Sequence, residues 1–324
     1  MIKKAEIPLL FLLHKYERGY DMNFLVVGAG GVGGYIGGRL AEKGNDVTFL
    51  VRQKRAEQLK ETGLAIHSEK GNVSFQPALI SAGETGQFDV VIIASKAYSL
   101  GQVINDVKPF INRESVIIPF LNGYRHYEQL FAAFSKEQVL GGLCFIESAL
   151  DNKGEIHHTS ASHRFVFGEW NGERTERITA LEEAFSGVKA EVIISDHIEK
   201  DIWKKYLFIA AQSGITTLFQ RPLGPILETE GGRHTAQTLI GEIGSILRKD
   251  GVPADPSLEE ESFRTMLSMS YHMKSSMLRD MEKGQTTEGH HLHGFLLEKA
   301  KRLSLAAPIL ETVYANLQMY EAEK

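Results

Sequence analysis

A single cysteine, Cys144, in 324 residues leaves no partner for an internal disulfide, so the core has to hold this fold, and a reducing, cytoplasmic setting fits. The default role of Cys144 is that of a small buried hydrophobe. No apolar run reaches the ~18 residues that a membrane-spanning helix needs, which argues against a membrane partner. Positive charge is not in surplus either: 36 Lys and Arg against 41 Asp and Glu give a net charge of −5, which argues against nucleic acid as the main ligand. Internal repeats, low-complexity tracts and an H-E-x-x-H zinc signature are also missing. Residues 1–21 imitate a secretory signal, with Lys3 and Lys4 before the apolar run Ile7 to Leu13. The run is short, however, and no small-residue cleavage site follows. The expectation is a dispensable extension, with the first domain starting at Met22.

The rest of the composition, 43% hydrophobic and 24% charged, is ordinary for a globular protein, and the length suggests about two domains. The chain is organised around Asn23 to Arg52. The apolar run Phe24 to Val27 breaks into Gly28-Ala29-Gly30-Gly31-Val32-Gly33, a helix-like segment follows, and a β-type run spans Val47 to Val51. Strand, glycine-rich turn, helix and strand within one short unit form the context that gives G-x-G-x-x-G its meaning. Gly28 allows the tight turn, Gly30 lets a pyrophosphate approach the backbone, and Gly33 lets helix and strand pack closely. The free N–H groups of the helix N-terminus then face an anion. Gly34, Gly37 and Gly38 read as one flat helix side against a sheet. At the end of the second strand stands Arg52, with Lys54 and Arg55 close behind and no acid before Glu57. A guanidinium suits a 2′-phosphate and an acid would repel it, so the cofactor reads as NADPH, although such an arginine can also be simply solvated.

Further along, LAIHS and VSFQP flank a hairpin-type turn at Glu69 to Asn72. Val90 to Ala94 and Val116 to Leu121 are continuous apolar runs of the kind central parallel strands need. They end in Ser95-Lys96 and Asn122-Gly123, which places Lys96 and Asn122 at the carboxyl edge of the sheet, where ligands bind in open α/β folds; the bland reading of each is a turn residue. Strands are expected over Gly141 to Ala149, His163 to Trp170 and Val188 to Ile194, with a turn at Asp151 to Gly154.

After Asp196 the periodicity becomes helical. Ile198, Ile202, Tyr206 and Ile209 recur at three or four residues, Ser257 with Glu260 reads as a capping box, and Pro308 opens a last helix. The shift divides the chain near residue 195, into an α/β Rossmann-type dinucleotide-binding domain at 22–195 and an all-helical domain at 196–324. Four-residue spacing puts Lys205, Ile209 and Ser213 on one helix face, so Lys205 is not on an ordinary solvated stripe. His290 and His293 would share a face with chelating spacing. No matching ligand set accompanies them, so they read as surface or cleft histidines and no metal is expected.

The G-x-G-x-x-G, the arginine after strand two, S-K-A, N-G, W-x-K, S-S-M-x-x-D and T-E followed by G-F-L-L occur together and in the order found in ketopantoate (2-dehydropantoate) reductases, which the chain resembles over about residues 22–320. That resemblance implies a cleft between the two domains for NADPH and a 2-keto acid, and reduction of 2-dehydropantoate to pantoate in pantothenate biosynthesis, on the way to coenzyme A. It implies that Lys205 is the catalytic lysine, Glu288 the active-site glutamate and Ser276 a substrate-binding serine. Asn122 and Lys96 would lie on the cofactor side, with Asn122 and Ser213 also facing substrate. Hydride arriving at a ketone carbon makes its oxygen an alkoxide, which a positioned ammonium such as that of Lys205 can stabilise and protonate, with Glu288 orienting the lysine or the substrate hydroxyl.

The chain departs from the family pattern at Ile209 and Ser213, where asparagines are usual, at Leu223 in a later N-G, and at Gly289 to His293. A reductase or dehydrogenase of another small keto or hydroxy acid and a non-enzymatic NADPH-binding sensor therefore stay open, as does assembly into a homodimer.

Overall fold

The computed structural model describes residues 22–324; the extension expected at 1–21 lies outside them. In chain order the strands are β1 (Asn23–Val27), β2 (Asp46–Leu50), β3 (Leu64–His67), β4 (Val73–Phe75), β5 (Ala78–Ile80), β6 (Val90–Ile93), β7 (Val116–Pro119), β8 (Gly141–Leu150), β9 (Ile156–Gly168) and β10 (Glu191–Ile194). Helices α1 (Gly31–Lys43), α2 (Gln53–Thr62), α3 (Leu100–Val107), α4 (Arg125–Ala133) and α5 (Glu176–Phe185) lie among them. Seven more follow: α6 (Ile198–Phe219), α7 (Leu223–Glu228), α8 (Glu230–Lys249), α9 (Leu258–Ser268), α10 (Ser276–Glu282), α11 (Phe295–Arg302) and α12 (Pro308–Ala322). This is a Rossmann-type α/β region followed by a helical one. No helix among the described residues is long and apolar enough to cross a membrane.

The first sheet is parallel throughout, in the order β5-β2-β1-β6-β7. Its central strands are buried on both faces, and every residue of Val90–Ile93 is inaccessible, which is why those runs are continuously apolar. A second sheet runs β10-β9-β3-β4, with β8 antiparallel to β9. Helix α1 is sandwiched between the two sheets, which corrects the single flat side expected of its glycines. A Cβ at Gly37 would press on Phe49 of the first sheet, whereas Cβ atoms at Gly34 and Gly38 would press on Ile156 and Ile66 of the second. The helix, short of propensity, is held by packing on both sides.

Other elements also differ from expectation. The hairpin of β8 and β9 is longer than read, because His157 to Ser162 alternate too weakly to register as a strand. Ala78–Ile80, an edge strand of three residues, gives no periodic signal. Ser257 does precede α9, but its hydroxyl donates to the Asp255 and Glu261 carboxylates rather than capping an N–H, so no capping box forms. Pro308 stands at the first turn of α12 as expected, and Cys144 is buried and unpaired.

Candidate active site

Strands β1, β6 and β7 are neighbours, so their carboxyl ends bring Gly28, Lys96 and Asn122 to one edge of the sheet. Gly28 turns the chain with φ of +94°, a region that side chains other than glycine seldom adopt. A Cβ on Gly33 would collide with the Gly28 carbonyl and approach the Ala94 Cβ to 3.2 Å, so the helix can lie this close only with glycine there. Gly30, the residue before α1, is different: a Cβ there would meet nothing within 4 Å. The backbone at Gly30 is open to a ligand, and the first turn of α1 has neither a side-chain cap nor an acid. Those features fit the pyrophosphate of a dinucleotide. Behind the loop, Ser148 of β8 donates its hydroxyl to the Gly31 carbonyl at 2.8 Å, a support that no sequence signal revealed.

Arg52 stands two residues beyond β2, immediately before α2, exposed and with no ion pair or side-chain hydrogen bond among the described residues. Arg55 is half-buried instead. Its Nε donates to the Ala29 carbonyl at 3.1 Å and one Nη to Gln58 Oε1 at 2.6 Å, while the other Nη is buried without a partner. Burial pushes its pKa below the usual arginine value. Arg55 thus clamps the glycine-rich loop, while Arg52, like Lys54, is exposed with no ion pair among the described residues.

The second cluster depends on α6, a helix of 22 residues that crosses from the sheet edge into the helical half. Trp203 stacks on Tyr124, beyond the end of β7, with centroids 4.0 Å apart, and Tyr206 donates to the Leu292 carbonyl at 2.5 Å. These contacts fix the register that buries Lys205, 6% exposed, and turns Lys204 outward to an ion pair with Glu261. The Lys205 ammonium donates to Asn122 Oδ1 at 2.8 Å and stands 5.5 Å from the Phe145 ring centre. Burial lowers its pKa, and the negative charge of Glu288 only partly opposes that.

Asn122, Ser213, Ser276 and Glu288 line one pocket together with Ile209, Gln212 and Asp280. Glu288, expected to orient Lys205 or the substrate hydroxyl, makes no hydrogen bond to Lys205; its carboxylate accepts from the Ala97 N–H at 2.8 Å and stands 3.8 Å from Lys96 Nζ. Lys96 pairs with Asp280 at 2.7 Å. Burial alone would lower the Lys96 pKa, but the Glu288 and Asp280 carboxylates outweigh it and raise the value. Asp280 occurs in the S-S-M-x-x-D pattern, yet its pairing with a strand-end lysine from the other half of the chain was not readable. The Ser213 hydroxyl donates to its own helix, to the Ile209 carbonyl at 2.6 Å. Of the four departures from the family pattern, Ile209 and Ser213 face the pocket, whereas Leu223 lies in the helical core and His290 is exposed against Tyr314 and Arg125.

Residues 290–294 form a π-turn, which sends His290 outward and His293 inward to the Ala210 carbonyl at 2.8 Å. The two do not converge, so the shared helix face expected of them is absent. His291 meets the Asn122 carbonyl at 2.9 Å and stacks on His126, which is fully buried with both ring nitrogens unpartnered. Burial lowers the pKa of both.

The family description for ketopantoate reductase PanE/ApbA matches residues 24–172, and that for its C-terminal region matches residues 197–321. The chain belongs to the ketopantoate reductase PanE/ApbA family. Within this family of NAD(P)H-dependent oxidoreductases, it is 92% identical over 303 residues to a protein of Bacillus subtilis named uncharacterized oxidoreductase YkpB, covering 94% of this chain and 100% of that one. The crystal structure of 2-dehydropantoate 2-reductase from Geobacter metallireducens superposes with a TM-score of 0.83 at 25% identity, over 92% of this chain and 99% of that chain. A D-mandelate dehydrogenase with NADH and anilino(oxo)acetate reaches 0.84 at 18% identity, over 93% and 99%, a likeness of fold alone.

Proposed function

We propose that this protein reduces the ketone of a small 2-keto acid with NADPH, with 2-dehydropantoate as the first candidate and pantoate as its product. The observation that carries the proposal is a buried ammonium, Lys205, held by Asn122 beside a pocket that Ser276 and Glu288 line from the helical half. When bound, NADPH supplies the hydride. Lys205 stabilises the oxygen as it gains charge and passes a proton to it from Nζ, and the lowered pKa makes it a better acid near neutral pH. Asn122 Oδ1 fixes the direction of the ammonium. The Ser276 hydroxyl serves the substrate carboxylate. Glu288 acts through its charge, favouring the protonated forms of Lys96 and Lys205. Arg52, free and without an acid nearby on its strand, is the group for the 2′-phosphate.

A second reading, reduction of a keto acid with an apolar side chain, is favoured by one feature. Ile209 is apolar, and the Ser213 hydroxyl is already bonded to backbone, so this wall offers little to the hydroxyl of pantoate. Turnover of NADPH across a panel of 2-keto acids separates the two. A kcat/KM highest for 2-dehydropantoate supports the first, and one highest for an aliphatic or aromatic keto acid supports the second. NADPH binding with no turnover of any member would refute both and leave a sensor.

A further inference from the structure

Away from the cleft, the second sheet carries ligating side chains that the reduction does not use. His67 ends β3, and His157 lies opposite it in β9 as an in-register parallel pair. Both side chains therefore leave the sheet on the same face, with ring centres 4.8 Å apart and planes at 21°. The turn between β8 and β9 brings two carboxylates to them. Glu155 Oε2 stands 2.8 Å from His67 Nε2, and Asp151 Oδ2 stands 3.2 Å from His157 Nε2. The turn is itself ordered: Asp151 Oδ1 accepts from the N–H groups of Lys153 and Glu155, both at 2.9 Å, and Gly154 takes φ of +81°. Oδ2 of Asp151 is thereby aimed at the histidines.

We infer that His67, His157, Glu155 and Asp151 form a binding site for a divalent transition-metal ion of the zinc class. Two imidazoles and two carboxylates supply four donors of borderline character, and their two negative charges match a divalent cation. Ligand atoms of His67, Glu155 and His157 already lie within 4.8 Å of one another. A tetrahedral ion with bonds of about 2.0–2.1 Å sets its donors roughly 3.3 Å apart. The remaining ångström or so is within reach of small rotations of side chains that are 33–45% exposed, and Asp151, 3.2 Å from His157 Nε2, supplies the fourth donor. A bound ion would tie the β8–β9 turn to β3, two segments far apart in the chain. None of these four side chains lines the pocket beside Lys205, so the inference does not rest on the proposed reduction.

The test uses the full-length chain, stripped with chelator and titrated with Zn²⁺ against a chromophoric competitor at neutral pH. One equivalent should bind with a Kd of about 10 µM or tighter. His67→Ala and His157→Ala should each weaken it by at least about tenfold, while exposed His234→Ala leaves it unchanged. Co²⁺ absorption should show tetrahedral coordination in wild type and lose it in both variants. Circular dichroism checks that the variants fold, and Glu155→Gln serves in place of one that does not. A weaker Kd in wild type, or equal affinity in wild type and the His67 or Glu155 variant, overturns the site.

Discussion

Lowering the pH from 7 to 5 should cost the folded protein about 2 kcal/mol through His293 alone. The ring is fully buried, its Nε2 donates to the Ala210 carbonyl, and Nδ1 has no partner. A second proton would place an N–H on Nδ1 with nothing to receive it, and burial accordingly lowers the pKa from 6.5 to about 4. The folded value lies below the unfolded one, so the unfolded chain takes up the proton first. The stability that neutral His293 contributes is complete above about pH 6.5 and is lost as the pH falls towards 4, reaching roughly 3 kcal/mol there. At ~2.1 cal/mol/K for each of the ~300 folded residues, 2 kcal/mol is a shift of about 3 °C in Tm. His126 and His291 titrate in the same direction, so the measurement is the difference between wild type and His293→Gln, which keeps an N–H donor and cannot titrate. Thermal unfolding of both at pH 7, 6 and 5 should show a gap at pH 7 that narrows by about 3 °C at pH 5. Parallel profiles would mean that His293 is hydrated or protonated in the fold, contrary to the packing described.

Lys205→Ala should lower kcat by roughly 10²–10⁴-fold with NADPH affinity nearly unchanged, whereas Lys204→Ala, which removes only a surface pair with Glu261, should stay close to wild type. Steady-state kinetics of the two variants decide it, and equal behaviour would mean that the register of α6 or the role of Lys205 is misassigned. Arg52→Asp should weaken NADPH binding and narrow or reverse its preference over NADH, read from Kd values for both, since an anion would face the 2′-phosphate. An unchanged preference would move that role to another cation.

Local chemistry by itself determined much of this protein. The strand, glycine turn and helix of residues 23–43, the buried runs of β6 and β7 and the helical periodicity after Asp196 follow from backbone sterics and the burial pattern of neighbouring residues. The four-residue spacing around Lys205 likewise separated it from Lys204, because a helix assigns faces by position. Tertiary structure decided the rest, because it depends on which distant segments meet. Ser148 behind the glycine loop, Asp280 on Lys96, Glu288 on the Ala97 N–H, and Leu223 in the core rather than the pocket are contacts between segments with no common periodicity. The π-turn at 290–294 altered the facing of its histidines by adding a residue to a turn, which a 3.6-residue reading cannot foresee. His67 and His157 became neighbours only when β3 paired with β9, since strand pairing fixes which side chains share a face and a single strand carries no record of its partner.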